Sequence, residues 1–226
     1  MMSGHSCLVY EIPESLIIEI LLQVPAKDIV QNCVLVSRQL NDIIASPTLW
    51  KRKCKLEGKY IPRFVKPEDF KKMYFFNPYT RNLIKNPCAQ EWPERNINKW
   101  ATSYGHCEKM QRINLGEEGV VAEVLDTIKP TIYISEWFAA RQDCACHYEL
   151  EVRLLSGDEQ ELDRFTFEDN VPQWTSGEWT KMQHVFKDYK AGVRFIEFRH
   201  LGVDRQFWAG HYGPKFTLSS VKFMFD

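Results

Sequence analysis

The hydrophobic period changes partway along the chain. Apolar residues recur at helical spacing over the first seventy-odd positions and at every second position from about Arg112 onward. That switch predicts an α+β protein: short helices first, then an antiparallel β-sandwich built from many strands without intervening helices. A length of 226 residues accommodates one large domain or two small ones.

In the first part, Leu16, Ile17, Ile20, Leu21 and Val24 form one stripe, which Pro25 ends. Pro25 can also open a second helix, carrying Ile29, Val30, Cys33 and Val34. A third carries Leu40, Ile43 and Ile44 and closes before Ser46-Pro47, an N-cap followed by a first-turn proline. Leu49, Trp50 and Cys54 face one way on the fourth. Helices this short must share a core or a partner. In the second part the candidate strands are 112–115, 131–137, 147–155, 161–167, 180–186, 193–201 and 215–225, with one helical piece over 117–126.

Composition narrows the function. The chain has 29 basic and 30 acidic side chains, so it lacks the basic surplus that phosphate contacts need, and no nucleic-acid partner is expected. It has no run of 18 apolar residues to span a membrane, and its start does not resemble a secretory signal. Seven cysteines without a regular framework, and no Asn followed at +2 by Ser or Thr, predict a cytoplasmic protein with reduced thiols. Cys144, Cys146 and His147 look superficially like metal ligands. On a strand the two thiols would share one face and the imidazole the other, so neither a metal nor any cofactor is expected.

Two resemblances sharpen these expectations. The stretch Ile12-Pro13-Glu14-Ser15-Leu16-Ile17-Ile18-Glu19-Ile20-Leu21, then Val24-Pro25-Ala26-Lys27-Asp28-Ile29 and Ser46-Pro47-Thr48-Leu49-Trp50, resembles an F-box over residues 10–55. The resemblance implies docking onto a Skp-type adaptor and, through it, a cullin ubiquitin ligase, with Pro13, Leu16, Ile20, Leu21, Pro25 and Trp50 expected to face the adaptor. Residues 56–76 read as a linker with an amphipathic helix beginning at Pro67 and carrying Phe70, Met73 and Tyr74.

Residues 77–226 resemble the F-box-associated domain of the sugar-recognising F-box family. The match is carried by Arg81-Asn82-Leu83-Ile84-Lys85-Asn86-Pro87-Cys88, Leu125-Asp126, Glu136-Trp137, Arg141-Gln142-Asp143 and Tyr148-Glu149-Leu150. It continues through Asp188-Tyr189, Gly192-Val193-Arg194-Phe195 and Phe207-Trp208 to Ser219-Ser220-Val221. The resemblance implies a jelly-roll-like sandwich and a non-catalytic substrate receptor. Several members bind the inner chitobiose of N-glycans on misfolded glycoproteins exported from the endoplasmic reticulum; others have lost sugar binding and hold protein surfaces.

The positions matching the family's sugar contacts are Tyr104, Asp143, Phe207 and Trp208, with Ala209 where the family has lysine; Arg205 or His211 could supply a substitute donor. Only eighteen residues separate Cys88 from Cys107, a short stretch for the family, so one or two early strands are expected to be missing, leaving an exposed edge or a thinner core. A less favoured reading makes Glu136 and Asp143 the paired carboxylates of a glycoside hydrolase.

Overall fold

The computed structural model describes residues 12–88 without 62 and 64, and 99–225 without 176. The chain divides into two compact units between Asn77 and Pro78. The first is helical: α1 (Glu14–Gln23), α2 (Ala26–Gln31), a 3-10 turn (Cys33–Leu35), α3 (Arg38–Ala45), α4 (Pro47–Leu56) and α5 (Phe70–Phe76).

Local chemistry sets these boundaries. Ser37 Oγ accepts from Leu40 N at the start of α3, and Ser46 Oγ accepts from Thr48 N at the start of α4, where Pro47 occupies the first turn. The end of α1 has no glycine cap; the buried Lys53 side chain reaches over from α4, and its Nζ donates to Leu22 O (3.1 Å) and Val24 O (2.9 Å). It thereby satisfies carbonyls that the helix end leaves open. The core joins Ile17, Leu21, Leu22, Ile29, Ile44, Leu49 and Trp50 with Phe70 and Tyr74 of the segment expected as a linker, so α5 packs as part of this unit.

The second unit is two four-stranded antiparallel sheets. Its strands are β1 (Trp100–Ala101), β2 (Cys107–Asn114), β3 (Thr131–Ala139), β4 (Cys146–Ser156), β5 (Glu161–Val171), β6 (Thr180–Phe186), β7 (Val193–Asp204) and β8 (Lys215–Met224). One sheet runs β1-β8-β3-β6, the other β2-β7-β4-β5. Along β4 the alternation sends Tyr148, Leu150, Val152 and Leu154 into the core. The intervening Glu149 and Glu151 face outward to Arg199 (2.8 Å) and Arg164 (3.4 Å) on neighbouring strands.

Three expectations need correction. Strand β2 starts five residues earlier than 112. The piece expected as helix over 117–126 is turns up to Gly119 and becomes helical only from Ala122, running into a π-helical turn, Val124–Ile128, closed by Lys129 in the left-handed region (φ +50°). The edge expected to be open is covered. Beyond its two-residue pairing with β1, the outer edge of β8 is met by residues 82–87. Asn82 donates to Ser219 O (2.8 Å) and accepts from Val221 N (2.9 Å), while Leu83 N donates to Val221 O and Ser219 N to Pro87 O. This segment covers that edge of the sheet, and the expected loss of early strands falls on residues 89–98, which lie outside the described residues.

Candidate functional site

The loops joining these strands meet at one end of the sandwich. The loop from Asp204 to Lys215 is tied to its neighbours through the backbone: Asp204 N donates to Ser103 O (3.0 Å), Gly213 N to Thr102 O (3.1 Å) and Arg205 N to Ala145 O (2.8 Å). Ser103 Oγ adds a bond to Gly210 O (2.6 Å). On the far side Trp174 N donates to Gln142 O (2.8 Å) and Gln173 Nε2 to Asp143 O (2.9 Å). Gly213 is required here, because a Cβ would sit 2.3 Å from Thr102 Oγ1.

Asp204 aims the aromatics. Its Oδ1 accepts from Gln206 N (3.0 Å) and Phe207 N (2.6 Å), a local turn that holds Phe207 at φ +59°. Phe207 is consequently 76% exposed and Trp208 40% exposed, and Tyr104 on the adjoining loop is 52% exposed. Trp208 meets Tyr212 edge-on at 5.5 Å, and the Arg141 guanidinium lies over the other ring at 4.7 Å. Arg141 also clamps Asp143, with Nε 2.5 Å from Oδ1 and Nη2 3.3 Å from Oδ2. That hydrogen bond holds the Asp143 carboxyl below its usual range, so it is ionised at neutral pH. Lys215, at the root of the loop, is pulled below the ordinary lysine range by burial and by the nearby charges of Lys99 and Arg141.

All four residues matched to sugar contacts therefore lie on this loop platform. Arg205 does not take the lysine's place, because its guanidinium is drawn to Asn170 Oδ1 (2.9 Å). The platform's cation is Arg141, two residues from Asp143 and stacked on Tyr212; only the tertiary fold shows that pairing. Trp174, exposed on the adjoining loop, also escaped the sequence reading.

Glu136 is elsewhere. It is wholly buried in the sandwich core, accepting from Tyr148 Oη (2.5 Å) and Ser219 Oγ and paired with His200 Nδ1 (2.8 Å). Burial, then the neighbouring carboxylate, pushes the Tyr148 phenol well above its ordinary value. Glu136 and Asp143 thus open onto no common surface, which removes the geometry the hydrolase reading needs. His147 points outward to Asn170 (3.1 Å) while Cys146 is buried, and no cluster of three metal-ligating side chains exists among the described residues.

In the helical unit, Leu16 (53%) and Ile20 (58%) are exposed on α1, flanked by exposed Pro13 and Pro25. Leu21 and Trp50, expected to face the adaptor, face the unit's own core instead. Helix α1 is apolar on both sides: Ile17, Ile18, Leu21 and Leu22 point inward, which leaves Leu16 and Ile20 outside. Trp50 is fully enclosed and its Nε1 donates to Ile44 O (2.7 Å). Leu35 and Val36, at the 3-10 turn, are exposed aliphatics that sequence periodicity did not mark.

A family model described as F-box-like matches residues 9–56, and one described as the F-box associated region matches residues 92–223. The chain is a member of the F-box-associated family. This F-box protein is 39% identical to human F-box only protein 6 over 241 aligned positions, covering 93% of this chain and 82% of the relative. It is 37% identical to human F-box only protein 44, covering 93% and 94%, and 35% identical to bovine F-box only protein 2, covering 96% and 84%. The alignment with F-box only protein 6 is longer than the 226 residues of this F-box protein, so the relative carries residues that this chain lacks. Among the described residues no helix is long and apolar enough to cross a membrane.

Proposed function

We propose that this chain is the substrate-recognition subunit of a cytoplasmic Skp–cullin–F-box ubiquitin ligase and that it performs no chemistry itself. Its helical unit (residues 10–55, extended by 56–76) docks the adaptor through Pro13, Leu16, Ile20 and Pro25, with Leu21 and Trp50 holding the helices that present them. Its sandwich (residues 77–226) holds the client, an N-glycosylated misfolded protein destined for endoplasmic-reticulum-associated degradation. Holding adaptor and client on one chain raises the effective concentration of client lysines near the charged conjugating enzyme.

One observation supports the client site: three aromatics, Tyr104, Phe207 and Trp208, stand exposed on loops fixed by backbone hydrogen bonds, beside an ionised Arg141–Asp143 pair. Loops on a rigid scaffold are favoured binding sites. An aromatic face packs on the apolar C–H face of a pyranose, and a carboxylate accepts from hydroxyl or acetamide groups. Ala209 leaves the sugar without the family's lysine donor. Restoring the lysine with Ala209→Lys should strengthen chitobiose binding by up to roughly tenfold, the worth of one charged hydrogen bond. No measurable sugar affinity in a folded Ala209→Lys protein would defeat the glycan reading.

A second reading, a receptor for protein surfaces that no longer reads sugar, is favoured by the clamp of Arg141 across both Asp143 oxygens. Enzymatic deglycosylation of captured clients separates the two. Clients of a glycan receptor are released, whereas clients of a protein-surface receptor stay bound.

A further inference from the structure

The outer face of the β8-β3-β6 sheet holds a cleft of about 310 Å³, lined by none of the platform's loop residues. It lies where β8 bulges against β3: the register passes from Ser135↔Ser220 to Trp137↔Thr217, and the extra residue, Leu218, sits in the left-handed region at φ +55°. Such bulges re-aim side chains. Here Tyr133, Ser135 and Trp137 of β3 line the cleft together with Lys181 of β6 and Ser220 and Lys222 of β8.

The lining carries two cations and no carboxylate. Neither Lys181 nor Lys222 forms an ion pair among the described residues, although most basic groups on the opposite sheet are paired. Lys181 Nζ lies 5.8 Å from the Tyr133 ring centroid, and the Tyr133 hydroxyl donates to Gln183 Oε1 (3.0 Å). Burial opposes ionisation of Tyr133, yet the hydrogen bonds and charges of Lys181, with Ser135 and Lys222, outweigh it and lower the phenol below its ordinary value. Ser220 is 8% exposed, and its hydroxyl has no hydrogen-bond partner among the described residues. A buried polar atom left unpaired in a lining of this kind marks a place where a ligand group fits.

We propose that this cleft is a second binding site, distinct from the loop platform, for a sugar acid: a pyranose whose carboxylate sits between Lys181 and Lys222. The ring's C–H face packs on Trp137 and Tyr133, and one ring hydroxyl bonds the orphaned Ser220 Oγ. The volume is at the small end of ligand pockets and suits a monosaccharide.

Calorimetric titration of the full chain with D-glucuronate tests this, with D-glucose and inorganic phosphate as parallel arms. Glucuronate should bind more tightly than either. The exposed pair Lys181→Ala with Lys222→Ala, which leaves the core untouched, should weaken it by about tenfold or more. Ser220→Ala should weaken it by a few fold without loss of stability, because the hydroxyl it removes has no partner to lose. Trp208→Ala should leave it unchanged, so failure here and failure of the platform reading are separate results. No glucuronate binding, equal binding of glucose, equal binding of phosphate, or full affinity in the double lysine variant would each overturn the proposal.

Discussion

Two tryptophans show how differently the two units use one residue type. Trp50 is completely enclosed, its ring packed on Tyr74 (5.1 Å between centroids) and its indole N–H bonded to Ile44 O. Trp208 stands on a loop, touches Tyr212 by an edge and keeps 40% of its surface in water. In the helical unit Trp50 is the internal support, and α1 with the 3-10 turn leaves the aliphatic Leu16, Ile20, Leu35 and Val36 in water, while Phe76 is exposed on α5. At the end of the sandwich the support is a backbone hydrogen-bond network and the offered surface is aromatic with a charged pair beside it. A flat aliphatic face suits helix packing against a protein, while aromatics with polar groups suit a hydroxyl-rich ligand.

The largest effect that would break this contrast is on stability. Trp50→Ala should cost about 3–5 kcal/mol, as large core truncations do. Urea denaturation measures it, and a cost near zero would mean that Trp50 is not the support. The same contrast holds for the carboxylates. Removing Glu136 strands Tyr148, His200 and Ser219 in the core, so Glu136→Ala should destabilise by about 3 kcal/mol or more. Asp143→Ala, on an exposed loop, should stay within about 0.5 kcal/mol.

On the helical surface, Leu16→Asp with Ile20→Asp should leave the melting transition in place and abolish co-purification of a Skp-type adaptor. Adaptor recovered at wild-type levels would show that this face of α1 is not the dock. A smaller effect is expected from alkaline pH. Burial pushes the Cys54 thiol up to about 11, against an ordinary value of 9.0, and Cys146 up to about 12. Both thiols are held neutral in the native state. The stability they contribute is full below about pH 9 and is lost as pH rises through about 11 to 12. Alkylation at pH 8 followed by mass spectrometry should find both unmodified; rapid native-state labelling of either would contradict their burial.

Much of this was legible in the sequence, and the exceptions have physical causes. Proline and serine placement marked the starts of α2 and α4, and strict alternation marked β4, because both are written in adjacent residues. The first five residues of β2, Cys107–Gln111, were missed because this edge strand alternates between exposed and half-buried side chains and so shows no apolar period. Val120, Val121, Val124 and Leu125 suggested a helix from 117, yet Gly119 at φ +90° and the tight turn before it delay it to Ala122, so only Val124 and Leu125 lie on it. The buried Lys53 cap on α1 was not read from the sequence, since its acceptors lie about thirty residues away along the chain. The candidate site was legible in its aromatics and in Asp143. Arg141 on Tyr212 was not, because it depends on loops that only the sandwich brings together.

The aromatic end of the sandwich is expected to recognise a ligand rather than seal the core. Titrating chitobiose into wild-type protein and Trp208→Ala by calorimetry, with urea denaturation on the same samples, tests it most directly. Wild type should bind and the variant should not, at a stability cost under about 1 kcal/mol for this exposed side chain. Undiminished chitobiose binding in Trp208→Ala, or a stability loss of about 3–5 kcal/mol as for a buried plug, would contradict it.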